Sequence, residues 1–217
     1  MPTPNTSRGS TTSTTSTAGR SSTGTTGTTG TQAGAGTADP TGYTPAQIRH
    51  ACGFDQISFP GGVVGDGSGA TIAVVDAYDD PNIASDLHQF DLQFGLPDPS
   101  FTKVNQTGGS TLPAAESRWA SEIALDVEWA HAIAPGASIL LVEANDSSYS
   151  NLLAAVDYAR RQPGVAVVSM SWGAAFSSET FDDSLFQAPR DHAGVVFVVA
   201  AGDDGARFPT RPPRPMC

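Results

Sequence analysis

Apolar positions along this chain follow two rhythms. Unbroken Val/Ile/Leu runs such as "TIAVV", "ASILLV", "VAVV" and "GVVFVV" read as strands buried on both faces. Between them lie stretches with apolar residues three and four apart, the spacing of amphipathic helices. "TPAQIRHACGF" predicts a short helix with Thr44 as N-cap and Pro45 at its first position. The strand "TIAVVDAYDD" follows, then the helix "PNIASDLHQFDLQFGL" closed by Gly95, and the strand "FTKVNQ". A long helix, "SRWASEIALDVEWAHAIA", is stopped by Pro135-Gly136. The strand "ASILLVEA", the helix "YSNLLAAVDYARRQ" and the strand "VAVVSMSW" come next. A polar loop or helix through His192 then leads to "GVVFVVAA". Strands alternating with helices in this way predict an α/β fold, a parallel sheet with right-handed crossovers and helices on both faces. Ligands bind at the carboxyl ends of the strands in such sheets. Here those ends carry Asp76, Glu143, Ser171-Trp172-Gly173 and Asp203.

Residues 1–42 do not share this texture. They are rich in Ser, Thr and Gly and almost free of apolar side chains, so they predict a disordered leader that cannot bury a core. The formal charge of −11 argues against a nucleic-acid partner and gives no basic membrane patch. No window has the run of apolar residues that a membrane span needs, and "MPTPNTSRGS" lacks the apolar region of a signal peptide. Cys52 and Cys217 stand in no metal-like spacing, and neither a disulfide framework nor a metal site is expected.

The candidate chemistry lies on the long helix. On a helical wheel Trp119, Ile123, Leu125, Val127, Trp129, Ala130 and Ile133 form one apolar arc, opposite Ser117, Ser121, Glu128 and His131. Glu122 and Asp126, four apart and so neighbours, land inside the apolar arc. Two carboxylates packed among apolar groups cannot both ionise cheaply, and they are expected to share a proton. Such a pair suits general acid–base work: a Glu backed by an Asp can serve a serine nucleophile in acid, where histidine is protonated. A protonated carboxyl can also serve as the oxyanion donor.

"SEIALDVEWAHAIAPGA", "VVSMSWG" and "VVAAGDDGA", in this order and spacing, resemble the sedolisin family of serine-carboxyl peptidases, which are subtilisin-like in fold. "YTPAQIRHACGFD" is similar to the start of their mature domain and "TIAVVDAYDD" to their first core strand, so the resemblance covers 43–205. It implies that Glu122 is the general base, Asp126 its orienting partner and Asp203 the oxyanion-stabilising acid. It also implies that Asp76 supports the catalytic hydrogen-bond network. Ser171, Trp172 and Gly173 match the strand edge where an extended peptide substrate adds as a strand. An extracellular, acid-acting endopeptidase is the implied activity. Ordinary subtilisins are the nearest rival, but their histidine opens a helix in a His-Gly context. His50, His88, His131 and His192 all lack that context and are read as incidental.

The family's nucleophile, a serine in a Gly-Thr-Ser turn, is expected downstream of Asp203, yet no Ser follows Asp203 here. Ser68 lies in a Gly-rich loop, Ser169 and Ser171 belong to a core strand, and Thr210 and Cys217 stand in the Pro/Arg tail. No cofactor is expected on this chain, because the resemblance puts the family's calcium site in the missing C-terminal part. The tail 206–217, "ARFPTRPPRPMC", departs from the family pattern, and we expect it to arise from a shifted reading frame. An alternative frame of allowed codons spells Ala-Phe-Pro-Asp-Ala-Ala-Thr-Ala-Pro-Asn-Val, similar to the family's continuation. The nucleotide sequence decides this, since some frame beyond the stop must encode a Gly-Thr-Ser segment. The expected product is a peptidase domain without turnover and with an uncovered apolar sheet edge. A non-catalytic peptide-binding remnant is the alternative, and a hydrolase with another nucleophile is a third reading for which no base–nucleophile pair is legible.

Overall fold

Why the strands read as continuous apolar runs is plain from their surroundings. In the computed structural model, which describes residues 42–173, 184–189 and 194–202, five parallel strands carry helices on both faces. They are β3 (Thr71–Ala77), β4 (Phe101–Asn105), β5 (Ser138–Ala144), β6 (Val165–Met170) and β7 (Val196–Val199), in the order β4-β5-β3-β6-β7. The helices are α1 (Pro45–Ala51), α2 (Ile83–Phe94), α3 (Ser117–Ile133) and α4 (Tyr149–Ala159). The predicted leader, the segment at His192, Asp203 and the tail lie outside the described residues.

Alternate residues of each strand serve opposite cores. Ala73, Val75 and Ala77 of β3 join Leu140, Val142 and Ala144 of β5 beneath α4, with Leu152, Ala155 and Val156. Val74 of β3 joins Ile139 and Leu141 on the other face, under Ile83 and Leu87 of α2 and Ile123 and Val127 of α3. Asp76 continues the series of Val74, and Glu143 that of Leu141. Both acids therefore point to the α2/α3 face, where α3 brings its own carboxyls.

Local chemistry sets the helix ends. Thr44 and Gln47 form a reciprocal capping box on α1, with Pro45 in the first turn. Gly95 closes α2 in the left-handed conformation at φ 68. Arg49 of α1 donates to the carbonyls of Ala132 and Ile133, satisfying acceptors left open at the end of α3. Gly67 (φ 87) passes the same helix end so closely that a Cβ there would lie 2.9 Å from that of Ala137.

Three features depart from the helical-wheel reading. His131, placed on the wet side, is wholly buried: Nε2 donates to the Pro97 carbonyl (2.9 Å) and lies 3.1 Å from Asp91 Oδ1. Leu125, placed on the apolar arc, is 51% exposed. Glu128 is half-buried, and burial, with Asp86, Asp91 and Asp80 nearby, pushes its carboxyl up to about 7. The wheel assumed one wet face, whereas α3 packs on the sheet with one side and on α2 with another. A short hairpin of β1 (Ser58–Phe59) and β2 (Val63–Val64) was also not anticipated, because two-residue strands leave no periodicity to read.

At the sheet edge, Val196, Val198 and Val199 of β7 are 56%, 51% and 44% exposed. No described strand pairs with the outer side of β7. An apolar edge of this kind is a template for pairing between chains. We predict concentration-dependent association in light scattering, reduced by Val198→Lys. A monomer at all concentrations would contradict this.

Candidate active site

Three elements converge at the carboxyl end of β3. Asp76, near the end of that strand, is 0% exposed, and neither of its carboxyl oxygens has a hydrogen-bond partner among the described residues. Burial holds this carboxyl well above the usual range, and the charges of Asp126, Glu122 and Glu143 push it the same way. Glu122 and Asp126 reach it from consecutive turns of α3, both half-buried. Asp126 accepts a hydrogen bond from Ser171 Oγ at 2.8 Å. Burial raises its pKa, and the Ser171 hydroxyl opposes the rise.

The backbone around this cluster is drawn tight. Tyr78, two residues past Asp76, sits at φ 62, a conformation that costs a non-glycine residue free energy and is found at functional sites. Its amide donates to the Ala144 carbonyl (2.8 Å), and the amide of Asp79 donates to that of Ala114 (3.1 Å). These two bonds tie the exit of β3 to β5 and to the segment leading into α3. Trp172 Nε1 donates to the Val75 carbonyl at 2.7 Å, fastening the end of β6 to β3 next to Asp76.

The sequence matches known proteins in the same region. The Subtilase family matches residues 116–214. Kumamolisin from Bacillus sp. (strain MN-32) is 31% identical over 186 residues, which is 81% of this chain and 31% of the kumamolisin chain. These two matches support a sedolisin-type, subtilisin-like protein. A solved structure of Pseudomonas sedolisin (serine-carboxyl proteinase), complexed with two molecules of pseudo-iodotyrostatin, shares 23% identity. That likeness covers 50% of this chain and 31% of the sedolisin chain, with a TM-score of 0.43. The chain thus spans about a third of the length of either relative.

Set against the sedolisin pattern, the structure brings Asp76, Glu122, Asp126 and Ser171 together and places Trp172 beside them. Gly173 is exposed, and a Cβ there would meet nothing within 4 Å. Asp203 lies outside the described residues. Ser171 and Trp172 both direct their polar atoms inward, to Asp126 and to Val75. Among the described residues no group of three or more His, Cys, Asp or Glu is placed to hold a metal ion. No described helix is long and apolar enough to cross a membrane.

Sequence reasoning named Glu143 only as a strand-end acid and gave it no part in the site, and it missed Lys103. Glu143 is 0% exposed and is the register partner of Asp76 in the parallel pair β3–β5. Its Oε1 accepts from the Asp80 amide (3.4 Å) and lies 3.8 Å from Lys103 Nζ. Burial pushes Glu143 up to about 8 even though Lys103 pulls the other way. A signal existed: "VVDA" (74–77) and "LVEA" (141–144) share one pattern, two apolar residues, an acid and Ala.

Proposed function

We propose that this chain carries the acid–base part of an acid-acting serine-carboxyl endopeptidase, and that as it stands it binds extended peptides without turning them over. The carrying observation is the buried Asp76 with Glu122 and Asp126 around it. Such a cluster retains protons that an exposed set would release, which fits proton transfer in acid. In this reading Glu122 is the general base, Asp126 orients it, and Asp76 supports both. Asp203 supplies the oxyanion donor, and the edge at 171–173 receives the peptide as an added strand. The substrates are peptides or proteins in extended conformation, encountered outside the cell as for a secreted peptidase.

Among the described residues we assign no nucleophile. Ser171 hydrogen-bonds a carboxyl, but it does so immediately after core strand β6, and its hydroxyl holds Asp126 in place. That bond also favours the second reading, a non-catalytic peptide-binding remnant, because it stiffens the groove edge without supplying a reacting serine. Incubation with labelled casein peptides at acid pH tests both. Binding without cleavage is expected, weakened at least about tenfold by Trp172→Ala, the scale of one lost anchor residue. Cleavage abolished by Ser171→Ala would make Ser171 the nucleophile and overturn the assignment. Absence of any binding would overturn the groove.

A further inference from the structure

Glu143 is a buried acid to which the proposed chemistry gives no role. An apolar residue would serve this strand better, as Leu141 does on the same face. Glu143 Oε2 is buried without a hydrogen-bond partner among the described residues, so the position costs stability. The rest of its carboxyl is nonetheless held with care. Lys103 of β4 stands 3.8 Å from Oε1 and is itself fixed by Asp79 Oδ1 (2.5 Å) and the Asp80 carbonyl (2.7 Å).

We propose that Glu143 is a positioning residue of the acid array, acting on Glu122 and Asp126 through its register neighbour Asp76, with Lys103 as its counter-ion. This rests on the peptidase reading above. The groups that face Glu143 are Lys103 from β4, Asp79 and Asp80 from the exit of β3, and Asp76 from β3. Asp76 in turn faces Asp126 and Glu122 from α3. One ammonium among these carboxyls leaves them more negative charge than the site can hold, so protons must be retained. Lys103 meets Asp79 directly and Glu143 at the longer distance. Asp79 therefore takes most of the cation, and Glu143, once ionised, presses on Asp76 instead. A proton kept on Asp76 leaves one O–H beside acceptor carboxyls on α3, and this sets which of them stays free to take a proton from a nucleophile. Strand register alone makes the link, since residues 76 and 143 are far apart in sequence.

Infrared titration of the full chain with 13C-labelled Asp reads this without turnover. The protonated band of Asp76 is assigned by its disappearance in Asp76→Asn. In Glu143→Gln, which keeps shape and packing, deprotonation of Asp76 should move to lower pH. In Lys103→Met it should move to higher pH, and this variant decides the matter if the first fails to fold. A midpoint unmoved in the folded variants, as a packing role for Glu143 would give, overturns the proposal. If the midpoints move while the chain binds no peptide, the linkage stands and the peptidase reading is what fails.

Discussion

Urea unfolding is expected to become markedly easier as pH rises from about 4.5 to about 8, so that the chain is most stable in mild acid. The sign follows from the direction of the shifts. Glu143 is raised from 4.5 to about 8 and Glu128 from 4.5 to about 7, while Asp76, Asp126 and Asp91 are raised from 3.8. Burial is the first cause for each of the five, so the folded state binds more protons than the unfolded chain between the two values. Stability is then fully present below the unfolded pKa and is lost as pH rises through the folded one. At about 1.4 kcal/mol per pH unit, wholly buried Glu143 alone accounts for roughly 3–5 kcal/mol across that window. Half-buried Glu128 contributes less, because solvent screens it. Below about pH 4 the trend reverses. Asp146 and Asp66, held low by hydrogen bonds from Ser148 and Ser68, lose those bonds on protonation. Midpoints from circular dichroism over this pH range check the prediction, and a stability that is flat or rises toward pH 8 refutes it.

Asp76→Asn should stabilise the chain at about pH 8 by ~1–4 kcal/mol, on the scale found when buried ion pairs are replaced by uncharged residues of similar volume. Both Asp76 oxygens are buried and unpartnered among the described residues, and three carboxyls press on it. The ionised form is therefore the costly one. An amide of the same shape cannot ionise, and its N–H groups face the acceptors that Asp76 repels. At about pH 4.5 the gain should largely vanish, because Asp76 is already neutral there. The variant's pH profile should thus be flatter than the parent's. Equal stabilities at about pH 8, or a less stable variant, would show that Asp76 is not the strained member of the cluster. Such a gain from removing a single acid marks a group kept for chemistry and not for the fold.

Much of the fold was legible in the residues. Continuous apolar runs gave the strands, buried on both faces in β3 and β5 though half-exposed in β7, and the caps at Thr44 and Gly95 bound their helices where expected. The four-residue spacing of Glu122 and Asp126 put both on one side of α3 before any contact was known. The same wheel failed at His131, Leu125 and Glu128. Periodicity scores polarity, whereas burial depends on what the neighbouring element offers. Pro97 and Asp91 give His131 a dry place on the α2 side, and no described element covers Leu125.

By itself the sequence determined the alternation of elements, their caps, the placement of two acids on one helical face and the sedolisin pattern, all of which depend on residues close in the chain. Tertiary structure alone decided that Asp76 lies under those acids, that Ser171 holds Asp126 and that Glu143 with Lys103 extends the cluster. Parallel register and helix docking make these contacts between residues that are distant in sequence. Burial then changes the proton affinity of the acids, which no local pattern encodes.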